Sequence, residues 1–441
     1  MNTSRLRCAA AFALILALAA PVAVHATNGM YLIGYGPETI GRGGANLAIS
    51  DRTLAVNFNP AGIAQLQGNH LAASLSFLAP SLSFENGLNG STDAESRYFP
   101  LPTVTYVRGA KDSPWTWGVG FVAQGGLGAT FDNLNTPFGN QDQTYTQVRY
   151  GTVIPTVAYS VNEDMAFGLS LNLGYADAAF RFFPNTSFFN QQAPQFSFPG
   201  VKMEGAAGTQ TSARIGWWWR PQPKFSLGLV YQTKTDSNFD GGDLYVNYTG
   251  FPGIGQRVRY DAKMDGFSFA AQAGIGFAYR PNDKWVVALD VKRYFWDDAI
   301  DTITVVGTNP DLALPAPFDQ VTLPFVFNWK DQWVYALGFD YRVNELLTLR
   351  AGYNYGENPV PNATLTPLFP ATVEQHLTFG ASWLSGNRVY ELAVEHAFNN
   401  SVTNNNPDPQ VNPFGPGATV DHEQWTISFG VSWTWSRGGH S

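Results

Sequence analysis

Cysteine is all but missing: among 441 residues there is one, Cys8. It falls within the first 26 residues, which read as a secretory signal. Arg5 and Arg7 give a positive start, residues 9–24 are apolar with a break at Pro21, and Val24-His25-Ala26 is a small-x-small cleavage site before Thr27. A retained membrane helix is the competing reading, but a span wants about 20 unbroken apolar residues and Pro21 interrupts this run. Cleavage leaves a mature chain without cysteine, which excludes disulfides. Charge is scarce as well. Charged residues are 14% of the chain, against roughly 25% in a soluble domain, so much of the surface does not face bulk water. Long hydrophobic runs are absent too: beyond the first 26 residues none approaches the roughly 18 residues of a membrane helix. Taking Arg5 and Arg7 from the 26 basic residues leaves 24 against 34 acidic ones, moving the formal charge from -8 to -10 and arguing against a nucleic-acid partner. No G-x-S-x-G, H-E-x-x-H or phosphate loop occurs, and His70, His376, His396, His422 and His440 show no metal-ligand spacing. No catalytic residue, metal or cofactor is expected; a Ser/His lipase would need a serine that nothing selects.

What the chain has in quantity is alternation, from His70 onward. Met165, Phe167, Leu169, Leu171, Leu173 and Tyr175 share one face, and Ala166, Gly168, Ser170, Asn172 and Gly174 the other. Large apolar side chains outside and small or polar ones inside mark a closed sheet in lipid; a soluble sandwich would reverse the faces. The pattern recurs at 225–231, 267–279, 285–291, 333–341 and 425–435, with aromatics near the ends of each run. Short turns at 109–114, 162–163, 221–223, 281–283, 344–345 and 385–387 alternate with long Gly/Pro/Asn-rich connections around 85–96, 130–146, 178–204, 236–263, 300–322, 357–373 and 399–421. Six short turns between seven long connections give fourteen strands with both ends on the short-turn side.

Residues 27–69 lack a sustained period. Within them, Asn59 precedes a proline and is pushed toward extended geometry, and Pro60 suits the first position of a short helix over 60–66. A turn opening one helical turn is the plain alternative. The expected architecture is all-β, a 14-stranded antiparallel transmembrane β-barrel with an N-terminal hatch in its lumen. Its divisions are a signal at 1–26, the hatch at 27–69, the barrel at 70–435 and a tail at 436–441.

Gly41-Arg42-Gly43-Gly44-Ala45, Asn59-Pro60-Ala61, Asn328-Trp329-Lys330-Asp331, Leu349-Arg350-Ala351-Gly352-Tyr353 and Pro359-Val360-Pro361, in this order, resemble the FadL/TodX outer-membrane transporters of hydrophobic compounds over essentially the whole mature chain. The resemblance implies a barrel closed by a hatch carrying the Asn-Pro-Ala motif. The expected setting is the bacterial outer membrane, with its lipid and lipopolysaccharide (LPS) as partners and a monomer as the expected state, though the sequence does not fix oligomeric state. Long-chain fatty acids or aromatic hydrocarbons would be caught among the outer loops, pass by diffusion to an inner pocket near the start of the hatch, and leave sideways where a strand kinks inward. One departure is that Trp435 is followed by six further residues where such barrels normally end on an aromatic.

Three groups of residues are candidates for that passage. Phe182, Phe183, Phe188, Phe189, Phe196 and Phe198, with Tyr245, Tyr248 and Phe251, put many rings into segments read as outer loops, either as a capture groove or as a packed cap. Gly125, Gly126 and Gly128 in the third strand mark a bulge, hence a lateral gate, or an ordinary end-of-strand cluster. Parity places Lys330, Arg350, Arg214 and Lys292 in the lumen, where a cation could hold a carboxylate. Asp290, Asp340, Glu391 and Glu395 share that parity, so internal ion pairs are the competing role; if every cation is paired, a neutral hydrocarbon is the better cargo. The alternative function is a water-filled porin or surface-structural barrel, which a hatch-length N-terminal segment disfavours.

Overall fold

The computed structural model describes residues 28–49, 52–110, 112–237 and 239–435; the expected signal and the tail at 436–441 lie outside the described residues. Fourteen strands form the ring. They are β1 (Gly68–Asn86), β2 (Phe99–Gly109), β3 (Trp115–Asn135), β4 (Gln141–Asn162), β5 (Met165–Phe188), β6 (Phe198–Gln222), β7 (Phe225–Gln232), β8 (Ala271–Asn282), β9 (Trp285–Phe295), β10 (Gln332–Arg342), β11 (Leu347–Gly356), β12 (Gln375–Ser385), β13 (Arg388–Asn404) and β14 (Ala418–Trp435). Each pairs antiparallel with the next, and β1 pairs with β14 from Asn69↔Trp435 to Glu85↔Thr419. That last ladder removes the edge an open sheet would expose. The barrel begins at Gly68, two positions before the expected boundary.

Solvation explains which side chains face out. Leu169, Leu171 and Leu173 are 42–51% exposed, while Ser170 and Asn172 between them are buried. The exposed leucines belong to an apolar belt bordered by aromatic pairs such as Trp115–Tyr159, Trp285–Tyr341 and Trp383–Tyr390. β3 to β6 hold 21, 22, 24 and 25 residues, roughly twice the 9–11 that a tilted strand needs to cross hydrocarbon. The wall therefore rises past the membrane. Much of what the sequence assigned to long loops is strand: β5 and β6 cover most of 178–204, and Phe239–Asn247, Arg257–Phe267, Ile300–Thr308 and Val321–Val326 extend the raised wall from β6. Above the belt the outer face meets water and headgroups, so the apolar-out signal fades while the ladder continues.

The hatch fills the lumen with little regular structure: one helical turn at Pro37–Gly41, another at Ala55–Phe58, and a 3-10 helix at Pro60–Gln65. It sits so close to the wall that inward positions have no room for a Cβ. A Cβ on Gly216 would overlap the Asn59 side chain, one on Gly228 the Leu47 carbonyl, and one on Gly352 the backbone between Arg42 and Gly43. At Gly338 it would come within 2.6 Å of the Arg42 carbonyl. Gly228 pairs with Gly276 and Gly338 with Gly352, so these positions are lateral neighbours in the ring. They form a seat cut to the backbone of the hatch.

Polar contacts fix the hatch in that seat. Arg42 reaches Asp340 of β10 at 2.7 Å and pairs with Glu38 of its own helix turn; Arg350 of β11 lies 3.4 Å from Asp340 and 3.9 Å from Glu38. Asp290 accepts the backbone N–H groups of Asn46 and Leu47, and the Lys292 ammonium donates to the Gly44 carbonyl at 2.6 Å.

Candidate functional site

The Asn-Pro-Ala motif folds as its sequence dictates. Asn59 is extended (φ -135, ψ 102) and Pro60 opens the 3-10 helix. The Asn59 amide works on both its ends: Oδ1 accepts the Ala61 N–H at 3.2 Å, and Nδ2 donates to the carbonyls of Leu47 at 2.9 Å and Trp217 at 3.0 Å. Pro60 and Ala61 lie against Gly168, where a Cβ would not fit. The motif thus joins the hatch to itself and to β6. Asn59→Ala should cost about 1–3 kcal/mol by orphaning those buried groups; a lowered denaturation midpoint of the purified barrel measures it, and an unchanged midpoint would remove the joint from the account.

The rings predicted for capture divide. Phe182 and Phe183 pack with both Phe414 and Phe198, and Phe188 and Phe198 each stack with Phe138 at 5.1 Å. Phe189 meets Phe251, which with Tyr248 packs on Phe318. These form a closed aromatic cap. Phe196 is 66% exposed and stands outside it. Tyr245 corrects the expectation: it lies on the outer face of the wall beneath the Lys202 ammonium, because its position in Phe239–Asn247 alternates with the buried Leu244 and Val246.

Below the cap the lumen is apolar. Phe180, Met203, Met264, Phe267, Ile303 and Phe325 line a cleft whose free volume is about 30 Å³, too little for cargo unless side chains move. The connection from β11 to β12 folds inward and buries Leu365, Leu368, Ala371 and Val373 there. At the start of the hatch, Tyr31 is surrounded by Phe269, Tyr294 and Trp296 at ring distances of 5.3–6.1 Å, and Trp296 packs on Trp329. The sequence reading missed this cluster. Tyr294 has the same parity as Asp290 and Lys292 in β9, and following that parity past the strand would have found Trp296.

The four cations have different fates. Lys330 is exposed and belongs to the irregular 327–331 stretch, so parity counted from a strand does not apply and the lumen assignment is corrected. Arg350 is committed to Asp340 and Glu38, and Lys292 lies 3.5 Å from Asp290. Arg214 is buried yet has no carboxylate within 4 Å among the described residues; its guanidinium donates to Asn57 at 3.3 Å and to Gln232, and its Nε has no partner. Tyr31, Tyr35, Tyr150 and Tyr294 lie within its electrostatic reach.

The wall weakens beside it. The β2–β3 ladder runs from Gly109↔Thr116 to Thr103↔Val122 and stops, while β3 continues to Asn135 paired only with β4. Directly above the last pair, the β3–β4 register shifts between Ala123 and Gly125. Gly125 (φ +136) and Gly126 (φ +155) carry the distortion; Gly128 pairs regularly with Gln147 and takes no part in it, a correction to the three-glycine assignment. The hatch grips the bulge: Tyr31 bridges to Gly125, the Tyr35 hydroxyl donates to the Gln124 carbonyl at 2.9 Å, and Gln124 Nε2 donates to Asn57 at 2.7 Å. Residues 94–98 cross the resulting opening, with the Ala94 N–H on the Leu82 carbonyl and the Glu95 N–H on the Thr130 carbonyl.

A family model described as outer membrane protein transport protein (OMPP1/FadL/TodX) matches residues 19–436. Among solved structures, the chain is similar to the toluene transporter TodX of P. putida, with 19% identity over 92% of this chain and 99% of that one and a TM-score of 0.73. The toluene transporter TbuX of Ralstonia pickettii follows at 19% identity, 91% and 98% coverage and a TM-score of 0.71. A FadL homologue from Pseudomonas aeruginosa gives 16%, 92%, 99% and 0.74. No curated protein sequence matches.

Proposed function

Because this chain belongs to the OMPP1/FadL/TodX family of outer-membrane transport proteins, we propose that it passes long-chain fatty acids through the outer membrane by diffusion, as a monomer and without catalysis. The observation that carries the choice of cargo is Arg214. Arg350 and Lys292 face carboxylates of the chain itself, whereas Arg214 has only amide partners and an idle Nε. A buried guanidinium without a counter-ion is costly unless a ligand supplies one. A fatty acid does so with its carboxylate, and its alkyl chain suits the apolar cleft above. On this reading cargo enters through the aromatic cap, rests at Arg214 and leaves through the wall between β2 and β3, with side chains of the cap and the cleft moving aside to let it pass.

The aromatic cluster around Tyr31 favours a second reading, a neutral aromatic hydrocarbon, which is what TodX and TbuX are named for. Binding of a long-chain fatty acid and of toluene to the purified Arg214→Met variant separates the two. Loss of a charge-assisted, two-pronged contact is worth about 1.5–3 kcal/mol, so fatty-acid affinity should fall tenfold or more, toluene should be unaffected, and Arg214→Lys should recover part of the loss. Fatty-acid affinity that survives Arg214→Met would hand the reading to the hydrocarbon.

A further inference from the structure

The raised outer wall carries an open cleft of about 670 Å³ with polar walls, facing away from the lumen. Register builds it: Arg181 of β5 lies opposite Lys202 of β6, Lys202 opposite Tyr245, and Tyr245 opposite Arg259. Their chain neighbours Phe180, Met203, Leu244 and Tyr260 are buried on the lumen side, so this row points outward. Arg257 lines the same cleft one step further along its strand.

The four cations Arg181, Lys202, Arg257 and Arg259 face as many carboxylates, but the pairing is uneven. Asp243 and Asp261 pair with Arg259, Glu204 takes Lys202 at 2.8 Å, and Asp311 lies in the cleft lining. Two guanidiniums lack a carboxylate of their own. Arg181 shares Glu204 with Lys202, at 3.3 Å, and donates to the Gln143 amide at 3.2 Å, while its Nε has no partner. Arg257 donates to the Asn185 amide at 2.8 Å and has no carboxylate within 4 Å among the described residues. Beneath the row, the Tyr145 ring lies 4.9 Å from the Arg181 guanidinium and the Tyr245 ring 5.6 Å from the Lys202 ammonium, holding both cations in place.

We propose that this cleft binds a phosphorylated sugar headgroup of the outer-leaflet glycolipid that surrounds the barrel. Guanidinium forks match the phosphate oxygens of such a headgroup. A free phosphate has the same charge chemistry, and height decides between the two. Tyr175, at the upper edge of the apolar belt on β5, is six residues below Arg181, roughly 20 Å along the strand and less in height because the strand tilts. That places the cleft in the saccharide layer, where its occupant is tethered and locally concentrated. Apolar cargo has no use for a cleft of this polarity on this side of the wall.

The experiment uses the full chain purified in detergent, with lipopolysaccharide, the same lipopolysaccharide after enzymatic dephosphorylation, and inorganic phosphate as probes, read by native mass spectrometry. The wild type should retain one lipopolysaccharide. Arg181→Gln combined with Arg257→Gln should weaken that binding more than about tenfold, since two charged contacts are lost. Dephosphorylation should weaken it comparably, and Lys263→Gln, a lysine already paired with Asp265 outside the cleft, should leave it unchanged. Retained fatty-acid binding shows that the double variant is folded; if it is not, the dephosphorylation arm decides alone. Binding within twofold of wild type in the double variant, equal binding of the dephosphorylated lipid, or inorganic phosphate binding as tightly as lipopolysaccharide would each overturn the proposal.

Discussion

Gly228→Val should convert a closed barrel into a conducting one. The Leu47 carbonyl occupies the space a side chain at 228 would need, with Ala48 N 3.0 Å from the same point. Both contacts are backbone, so nothing can rotate away. Overpacking a rigid site costs about 1–3 kcal/mol even where side chains can yield, and more where backbone must shift. The relief available is for the hatch to leave its seat, which also releases the Ala48 carbonyl from Trp218 Nε1 and Ser226 Oγ, each at 3.0 Å. β7 itself need not change, because the valine is tolerated by strand geometry and its lipid-facing neighbours Leu227 and Leu229 are untouched. The expected record in a planar bilayer is steady ion conductance from Gly228→Val and near silence from the wild type, with large antibiotics entering cells that express the variant. A folded variant that remains electrically silent would mean the hatch does not depend on that seat. Leu229→Val, on the opposite face, is the control and should stay silent.

Gly125→Val with Gly126→Val should abolish uptake while the barrel still assembles. A Cβ at Gly125 falls 2.5 Å from the Met30 carbonyl, and one at Gly126 overlaps the Val148 carbonyl; both residues hold positive φ that β-branched side chains avoid. The outer half of β3 then cannot keep its bulge and is driven toward regular pairing, which brings it onto β2 beyond Val122 and seals the wall. Import of a labelled fatty acid should drop by at least about tenfold if escape through the wall is the only route, since sealing removes the exit and not merely an affinity. Gly128→Ala, in a regular part of the ladder, should leave uptake within about twofold, as expected for a substitution outside any special geometry. Normal import by the double variant, with heat-resistant migration showing an intact barrel, would place the exit elsewhere.

Legibility in the sequence followed the solvent contrast across the wall. β5 could be read residue by residue because lipid lies on one side of Leu169 and the hatch on the other. At Arg181 the outer face is polar and the rings of Phe180 and Phe182 turn inward, so the apolar-out pattern is lost and the same chain was taken for loop. Asn59 and Pro60 were legible because a proline restricts its own geometry and its neighbour's. Lys330 was misplaced because alternation means nothing across 327–331, where Asn328 has φ +48. Arg214 is buried against the hatch, but its lack of a counter-ion depends on distances between β6, β7 and the hatch that no local pattern encodes. The seat was half visible: the small inward residues were noticed and credited to the lumen in general, while their purpose, clearance for one particular backbone, appears only when the hatch is in position.

Asn57 carries a consequence for timing. Its one side-chain oxygen accepts from Arg214 at 3.3 Å and from Gln124, the bulge residue, at 2.7 Å. A fatty-acid carboxylate held as proposed would compete with that amide oxygen for the guanidinium and displace it, because a charged acceptor is the stronger one. Whatever relieves Asn57 of Arg214 also changes how firmly it holds Gln124. On the proposed route, arrival and departure would therefore meet on one side chain, and a molecule held at Arg214 would alter the latch on its own way out.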